Sequence, residues 1–311
     1  MVASGMLGRL ADQPSKRKSM PPKELIINFT PTGMVPTKKH SSYVPLSVTE
    51  IVEEIHMACD VGITTLHLHA RDPDTSPTNS PEVYAEIIEG IRRFAPELVI
   101  CVSLSVRIDP SFERRSQALF LEGGLKPDMG SLTLSSLNFP SSASKNAPGV
   151  VKDLASCMQK RGILPELEIF DVGMANYARY LIDKGLVQTP CYANIIVGNI
   201  ASVQLELDQL GAILNHLPEQ CFWALGGIGD YQLSANALAI AMQGGVRVGL
   251  EDNLFWDTGR TQLASNKMLL QRTHQLAEIH QRKVMSSKTF RKALGLRPGF
   301  GEYGTAAAQS N

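Results

Sequence analysis

The chain alternates short apolar and β-branched runs with longer segments in which apolar residues recur every three or four positions. This alternation predicts strands separated by helices. Eight strands are predicted, at 25–30, 63–69, 98–104, 131–135, 166–170, 193–197, 222–226 and 246–250. Eight helices are predicted, near 48–60, 81–94, 111–121, 150–161, 174–184, 203–216, 232–243 and 261–283. Most of these helices follow Ser, Thr or Pro, or end before Gly, as helix termini commonly do.

The number and spacing of these elements indicate the fold. Eight strand–helix units in about 270 residues are typical of a (β/α)8 TIM barrel, an α/β fold. An open doubly wound sheet is the alternative, but it usually divides into two domains at this length. We therefore predict a single barrel domain over 23–311 with a C-terminal helical extension. Residues 1–22 are rich in Ser, Lys, Arg, Gly and Pro without periodicity, which predicts a flexible leader.

Composition narrows the class of partner. Basic and acidic residues balance at 30 each in 311 residues, so no overall charge favours nucleic acid. No run approaches the roughly 20 apolar residues of a membrane span, and the N-terminus lacks a secretory apolar region. The five cysteines are far apart, which predicts reduced thiols in a cytoplasmic protein. A small-molecule protein is the expectation, with no nucleic acid and no membrane.

Two histidines lie one residue apart at the end of the second predicted strand. Alternate side chains of a strand share a face, so His67 and His69 present two imidazoles side by side. Barrels of this kind keep their chemistry at the carboxyl ends of the strands. The pair predicts a metal site, although histidines at this spacing can also be ordinary hydrogen-bonded residues.

The last predicted strand supplies a carboxylate that could complete such a site. Arg247 and Glu251 have the same parity, so both are expected to face the barrel interior. Strands 8, 1 and 2 are neighbours in a closed barrel, which brings Glu251 near His67 and His69. Two imidazoles and one carboxylate with a fourth position open are typical of a catalytic zinc site. The alternative for Glu251 is a salt-bridged acid at the strand end.

The fifth predicted strand places two carboxylates on one face, at Glu166 and Glu168. An unpaired buried charge costs several kcal/mol, so these glutamates need partners. Arg247 is the expected partner. Glu168 is favoured because it lies nearer the carboxyl end of the strand, and a plain ion pair and a catalytic role both remain open.

Several small polar residues and glycines also lie at strand ends. Ser103 shares an inward parity with Ser105, and Ser136 and Asn138 follow the fourth strand. Such groups can bind a substrate carboxylate or carbonyl, but more often they cap helices. The glycine-rich segment 226–230 could allow a phosphate or a pantetheine arm to approach the backbone. It does not match a dinucleotide or ATP fingerprint.

Five ordered segments resemble the β-keto acid cleavage enzyme family (3-keto-5-aminohexanoate cleavage enzyme-like), and the resemblance extends from about residue 24 to 296. The segments are NFTPTGMVPT at 28–37, HLHARDP at 67–73, SLNF at 136–139, PELEIFD at 165–171 and VRVGLEDN at 246–253. The resemblance implies a zinc-dependent TIM barrel, commonly a homotetramer. It implies that a β-keto acid and acetyl-CoA give acetoacetate and a new acyl-CoA by Claisen and retro-Claisen acyl transfer.

The resemblance also implies roles for individual residues. His67, His69 and Glu251 would hold the metal. Arg247 and Asp252 would be the catalytic pair, with Glu166 or Glu168 orienting the arginine. The residues that would fix the substrate are Ser103, Ser136 and Asn138.

Two segments depart from the pattern of that family. Members with amino-substituted substrates carry a carboxylate near the end of the first strand, whereas Gly33-Met34-Val35 offers none. An ammonium group would lack a partner there, so we predict a substrate with a neutral or apolar tail. The third strand departs as well, because the glycine-rich sequence usual there in the family is replaced by Ser103-Leu104-Ser105-Val106.

Three other functions are compatible with parts of this pattern. A zinc hydrolase of the amidohydrolase type also has a His-x-His pair, but usually on the first strand and with further histidines later. Strands five and six contain no histidine here. An aldolase-like metal lyase would cleave without acetyl-CoA, and a non-enzymatic binding barrel would not need the complete set of polar residues at one end.

Overall fold

The computed structural model describes residues 24–105 and 109–306, and its centre is a closed barrel of eight parallel strands. The strands are β1 (Ile27–Phe29), β2 (Thr65–Leu68), β3 (Val99–Val102), β4 (Met129–Thr133), β5 (Leu164–Ile169), β6 (Cys191–Val197), β7 (Cys221–Gly227) and β8 (Gly245–Val248). Each strand pairs with its neighbour in chain order, and β1 closes the barrel by pairing with β8. The predicted TIM barrel is confirmed.

Helices surround the barrel, and most of the longer ones bury an apolar face against it. They are α1 (Val48–Val61), α2 (Pro81–Arg92), α3 (Phe112–Arg115), α4 (Pro148–Arg161), α5 (Val172–Asp183), α6 (Leu207–His216), α7 (Tyr231–Ala241), α8 (Asn266–Ile279) and α9 (Ser287–Leu294). In α1, a capping box between Ser47 and Glu50 satisfies the first amides. The same helix buries Ile51, Ile55 and Ala58 at helical spacing.

Three helix predictions were wrong in extent, and the one for 203–216 starts too early, because α6 begins only at Leu207. The segment 111–121 forms only the single turn α3, followed by a 3-10 turn at Gln117–Phe120. The predicted helix 261–283 begins only at Asn266 and ends at Ile279. The carboxylate of Asp257 accepts the amides of Thr261 and Gln262, which holds this stretch in a turn that competes with helix formation.

The amino-terminal end of the barrel is closed by the C-terminal segment. Phe290 of α9 is fully buried and packs edge-on against the rings of Tyr192 and Phe222, at centroid distances of 5.3 and 6.3 Å. Beside it, the buried carboxylate of Asp128 receives hydrogen bonds from Arg92 and Arg291 at 2.7–2.9 Å. This ion cluster ties α2 and α9 to the loop that precedes β4.

The predicted leader, 1–22, lies outside the described residues, and the division into leader and barrel domain stays a prediction. Within 24–105 and 109–306, the structure contains no helix that combines the length and the apolar character needed to cross a bilayer.

Candidate active site

Both predicted histidines lie at the carboxyl-terminal end of strand β2. His67 lies on β2, and His69 follows one residue after the strand ends. Both rings are buried, and their Nε2 atoms are 3.3 Å apart. The parity argument from the sequence therefore describes this part of the site correctly.

Glu251 also lies beside the two histidines, but it belongs to a turn and not to a strand. The eighth strand is therefore shorter than the sequence predicted. β8 ends at Val248, and the amides of Asp252 and Asn253 both donate to the carbonyl of Gly249. Gly249 passes so close to the first strand that an added Cβ would lie 2.0 Å from the carbonyl oxygen of Thr30. The turn forms because only glycine fits this approach.

The three side chains are arranged as metal ligands would be. The Oε1 atom of Glu251 lies 3.2 Å from Nε2 of His69 and 3.9 Å from Nε2 of His67. Ligands about 2.0–2.1 Å from a tetrahedral zinc ion are about 3.3 Å from one another. The other oxygen of Glu251, Oε2, is buried without a hydrogen-bond partner in the described part of the chain. The donor set and its spacing therefore fit a divalent ion with room for a further ligand.

The charge around His67 also favours a cation. Burial lowers the pKa of His67, but the carboxylates of Glu166 and Glu251 more than offset it and raise that pKa to about 9. Burial likewise lowers the pKa of His69, and here the lowering prevails. The pKa of Glu251 stays below its usual value despite burial, because Arg247 and both histidines stabilise the carboxylate.

Glu166 contacts the Nδ1 atom of His67, whereas the Nε2 atom of that ring faces His69. Its Oε1 atom lies 2.5 Å from Nδ1 of His67, and its Oε2 atom accepts a hydrogen bond from Asn28 at 2.9 Å. Asn28 also donates to the hydroxyl of Tyr192 and to Asn194, so the contact belongs to a buried polar layer across the barrel. A carboxylate on the free nitrogen of a metal-binding histidine fixes its tautomer and orientation.

Arg247 pairs with the two acids that follow β8. Its Nη2 lies 2.7 Å from Oε1 of Glu251, and its Nε donates to Oδ2 of Asp252 at 2.9 Å. Within the described residues neither Glu166 nor Glu168 forms an ion pair with Arg247, so the expected partner was wrong. Physically, the turn brings Glu251 and Asp252 back over the strand from which the arginine projects. Burial and the neighbouring Glu251 raise the pKa of Asp252 to about 6, against the opposing effect of Arg247.

A cavity of about 420 Å³ opens beside this cluster. His69, Arg247, Glu251 and Asp252 line it, and so does Glu168, whose carboxylate accepts a hydrogen bond from Thr133. Apolar side chains form much of the remaining wall, namely Met34, Val35, Phe139, Phe170, Ile196, Ile228, Leu250, Leu254 and Phe255. The size lies in the range of pockets that bury small ligands.

The three residues predicted to bind substrate do not line the cavity. Ser103, Ser136 and Asn138 are not among the side chains that line this cavity, whereas Ser105 and Ser144 are. Ser103 accepts the amide of Ser105, and Ser136 accepts the amide of Asn146. Both hydroxyls therefore support loops, and a direct role for these residues stays a prediction.

The glycine-rich segment that begins at the end of β7 serves packing at two of its positions, Gly226 and Gly227. An added Cβ at Gly226 would lie 3.0 Å from the side chain of Arg247, and one at Gly227 would lie 2.5 Å from the backbone of Tyr231. These two glycines make room for the arginine and for the start of α7. Gly229 instead lines the cavity, with a φ of +60°.

Sequence reasoning missed three contributors to the site. Asn28 is the polar residue within the apolar run of β1, which was the available signal for a buried contact. Thr133 gave no signal beyond its place on β4. Gly33 packs against Glu251 so closely that an added Cβ would lie 2.5 Å from its Cγ, and only the folded chain reveals this.

We expect Glu166→Gln to weaken metal binding by about 10–100-fold, because the variant keeps the shape of the side chain but removes the charge behind His67. Competition with a chromophoric chelator at neutral pH measures the affinity. Glu168→Gln is the matched control, since Glu168 contacts Thr133 and none of the three ligands. Equal affinities for the wild type and Glu166→Gln would contradict the role assigned to Glu166.

Comparisons with known proteins show the family of this chain. A family model described as beta-keto acid cleavage enzyme matches residues 24–296. The 3-keto-5-aminohexanoate cleavage enzyme of Acetoanaerobium sticklandii is 32% identical over 275 residues, which cover 88% of this chain and 99% of that protein. The 3-oxoadipate:acetyl-CoA acetyltransferase of Cupriavidus necator is 32% identical over 274 residues, covering 87% and 94%.

A solved structure supports the fold. The ternary complex of ObcA with a C4-CoA adduct and oxalate superposes with a TM-score of 0.74 at 18% identity, and the match covers 82% of this chain and 68% of that one. The family predicted from the ordered motifs is confirmed by the family model and by the relatives at 32% identity. The chain belongs to the beta-keto acid cleavage enzyme family.

Proposed function

We propose that this protein is a zinc-dependent acyltransferase that converts a β-keto acid and acetyl-CoA into acetoacetate and a new acyl-CoA. The carboxymethyl carbon of the keto acid loses a proton, forms a bond to the acetyl carbonyl carbon and displaces CoA as the thiolate. The thiolate then attacks the keto carbon, and the bond between the keto carbon and the carboxymethyl carbon breaks. The carboxymethyl carbon recovers its proton, which gives acetoacetate and the new acyl-CoA. The observation that carries the proposal is the convergence of His67, His69 and Glu251 beside the Arg247–Asp252 pair, with all of these residues except His67 lining one cavity. The family resemblance further suggests a homotetramer, and the five free cysteines support a cytoplasmic location.

The metal site would be formed by His67, His69 and Glu251. When bound there, zinc supplies Lewis-acid polarisation of the keto oxygen. The resulting loss of electron density acidifies the carbon between the keto group and the carboxylate.

Proton transfer is assigned to Asp252. Its carboxylate lies at the cavity wall, and Arg247 fixes it through the hydrogen bond from Nε. In this position Asp252 accepts the proton from the acidified carbon as a general base. Nη1 of Arg247 is buried without a hydrogen-bond partner in the described residues, which leaves it free to donate to a substrate oxygen.

The cavity wall supports a substrate with a neutral or apolar tail. Met34 and Val35 line the cavity, where amino-substrate members of the family would carry a carboxylate. An ammonium group would therefore be desolvated without a partner from this segment. Methyl, ethyl and longer alkyl tails would instead bury apolar surface against Val35, Phe139 and Ile196.

The test uses the zinc-loaded protein, acetyl-CoA labelled with ¹³C in both acetyl carbons, and a panel of β-keto acids. We expect doubly labelled acetoacetate and an unlabelled new acyl-CoA by mass spectrometry, with neutral-tailed acids favoured over those with an ammonium group. Cleavage that proceeds without acetyl-CoA would indicate a lyase or hydrolase. Absence of turnover across the panel would contradict the acyl-transfer assignment.

A further inference from the structure

We propose that Arg260, at the mouth of the cavity, binds the diphosphate of the CoA co-substrate. The inference rests on the proposed function and assigns a position for the anionic end of the thioester. Arg260 lines the same cavity as the metal-binding and catalytic side chains. None of the roles described above involves this residue.

The charge distribution along the cavity singles out this arginine. Arg247, at the inner wall, has a side chain only 2% exposed and is engaged by Glu251 and Asp252. The side chain of Arg260 is 58% exposed and stands at the solvent end. A cavity of about 420 Å³ accommodates a small keto acid and a pantetheine arm, so the nucleotide and its phosphates must lie at the mouth.

The backbone holds Arg260 in a defined place. It lies in the turn between Phe255 and Leu263, which form a β-bridge, and the carboxylate of Asp257 accepts the amides of two following residues. Arg260 has a φ of +55°, in the left-handed region that favours glycine. Glycine would be less strained at this position, yet the chain has a long cationic side chain there. A function of the arginine side chain would explain why the strained residue is present.

The present partner of Arg260 is one that a diphosphate can displace. Nε and Nη2 of Arg260 both donate to the carboxylate of Asp230 at 3.2 Å, and the two side chains are 58% and 41% exposed. Such exposed pairs contribute little, whereas guanidinium groups bind phosphate in a bidentate manner. Gly229 lies beside Arg260 at the cavity wall, because an added Cβ there would be 3.6 Å from Nη2.

The experiment measures KM for acetyl-CoA and for S-acetylpantetheine, which lacks phosphates, at saturating β-keto acid. We expect Arg260→Gln to raise the KM for acetyl-CoA about tenfold with kcat nearly unchanged, and to leave the KM for S-acetylpantetheine unchanged. Arg260→Lys should recover part of the loss. Asp230→Asn should lower the KM for acetyl-CoA, because it removes the competing carboxylate. Arg93→Gln, which breaks an exposed pair with Glu89, is the matched control.

Acetyl-dephospho-CoA locates the contact, because it keeps the diphosphate and lacks the 3′-phosphate. The Arg260→Gln effect should persist with this substrate, and its disappearance would overturn the diphosphate assignment. An equal effect on S-acetylpantetheine, an effect on the KM of the keto acid instead, or no effect would also overturn it. Calorimetric titration with CoA requires no turnover, so a wild type that binds CoA through Arg260 but transfers no acyl group would contradict only the proposed function.

Discussion

Replacing His69 with alanine is expected to lower kcat/KM for acyl transfer by at least about 100-fold and to remove most of the bound metal. Within the described residues, this ring contacts His67 and Glu251 through its Nε2 atom. The substitution therefore removes one ligand without breaking the buried layer that Glu166 and Asn28 form beneath the site. Elemental analysis of metal per chain and steady-state kinetics measure the two effects.

His280→Ala provides the control, because this exposed histidine lies at the end of α8, outside the cavity lining. Its metal content and kcat/KM should match the wild type. Full activity of His69→Ala, or unchanged metal content, would remove His69 from the proposed centre. Retained metal with lost activity would restrict its role to the reaction itself.

Replacing Asp128 with asparagine is expected to lower the free energy of unfolding by about 3–5 kcal/mol, the usual effect of removing one partner from a buried ion pair. The carboxylate is completely buried and bonds to Arg92, Arg291 and the amides of Ile100 and Gly304. Asparagine leaves two guanidinium groups without their counter-charge. Denaturant-induced unfolding measures the loss.

The pKa of Asp128 predicts how the difference in the free energy of unfolding between the wild type and Asp128→Asn depends on pH. Burial raises the pKa of Asp128, but Arg92 and Arg291 outweigh it, and the pKa falls below its usual value. A lowered folded-state pKa gives stability that is present above the unfolded pKa, about 3.9, and is lost as the pH falls below it.

The difference between the wild type and Asp128→Asn should therefore be constant above about pH 5 and shrink below about pH 4. Asp153→Asn, on the exposed face of α4, should stay within about 0.5 kcal/mol of the wild type. A difference that grows on acidification would show that the cluster does not stabilise the charged carboxylate.

The barrel was predictable because most residues of its strands are buried and apolar, and because its helices carry start and stop signals. In α1, Ser47 and Glu50 mark the beginning of a helix whose buried residues follow the helical period. The short α3 was less predictable, because Ser116 and the following residues tighten into a 3-10 turn with a similar apolar spacing.

The proximity of His67, His69 and Glu251 was predictable from local spacing and strand order, whereas the surroundings of these residues depend on distant contacts. The period of a strand brings His67 and His69 together, and chain order around a closed barrel brings Glu251 to them. The contact between Glu166 and His67 joins residues 99 positions apart across the barrel interior, and no local pattern indicates which strand faces which. The tight turn after Gly249 likewise brings Glu251 and Asp252 to Arg247, and this turn was not predicted from the sequence.

The most direct test of the account is a crystal structure of the zinc-loaded protein, with anomalous scattering data collected on both sides of the zinc edge. We expect one strong peak about 2.0–2.2 Å from Nε2 of His67, Nε2 of His69 and an oxygen of Glu251. A peak at other residues, or the three side chains pointing apart with no ion between them, would contradict the proposed metal centre.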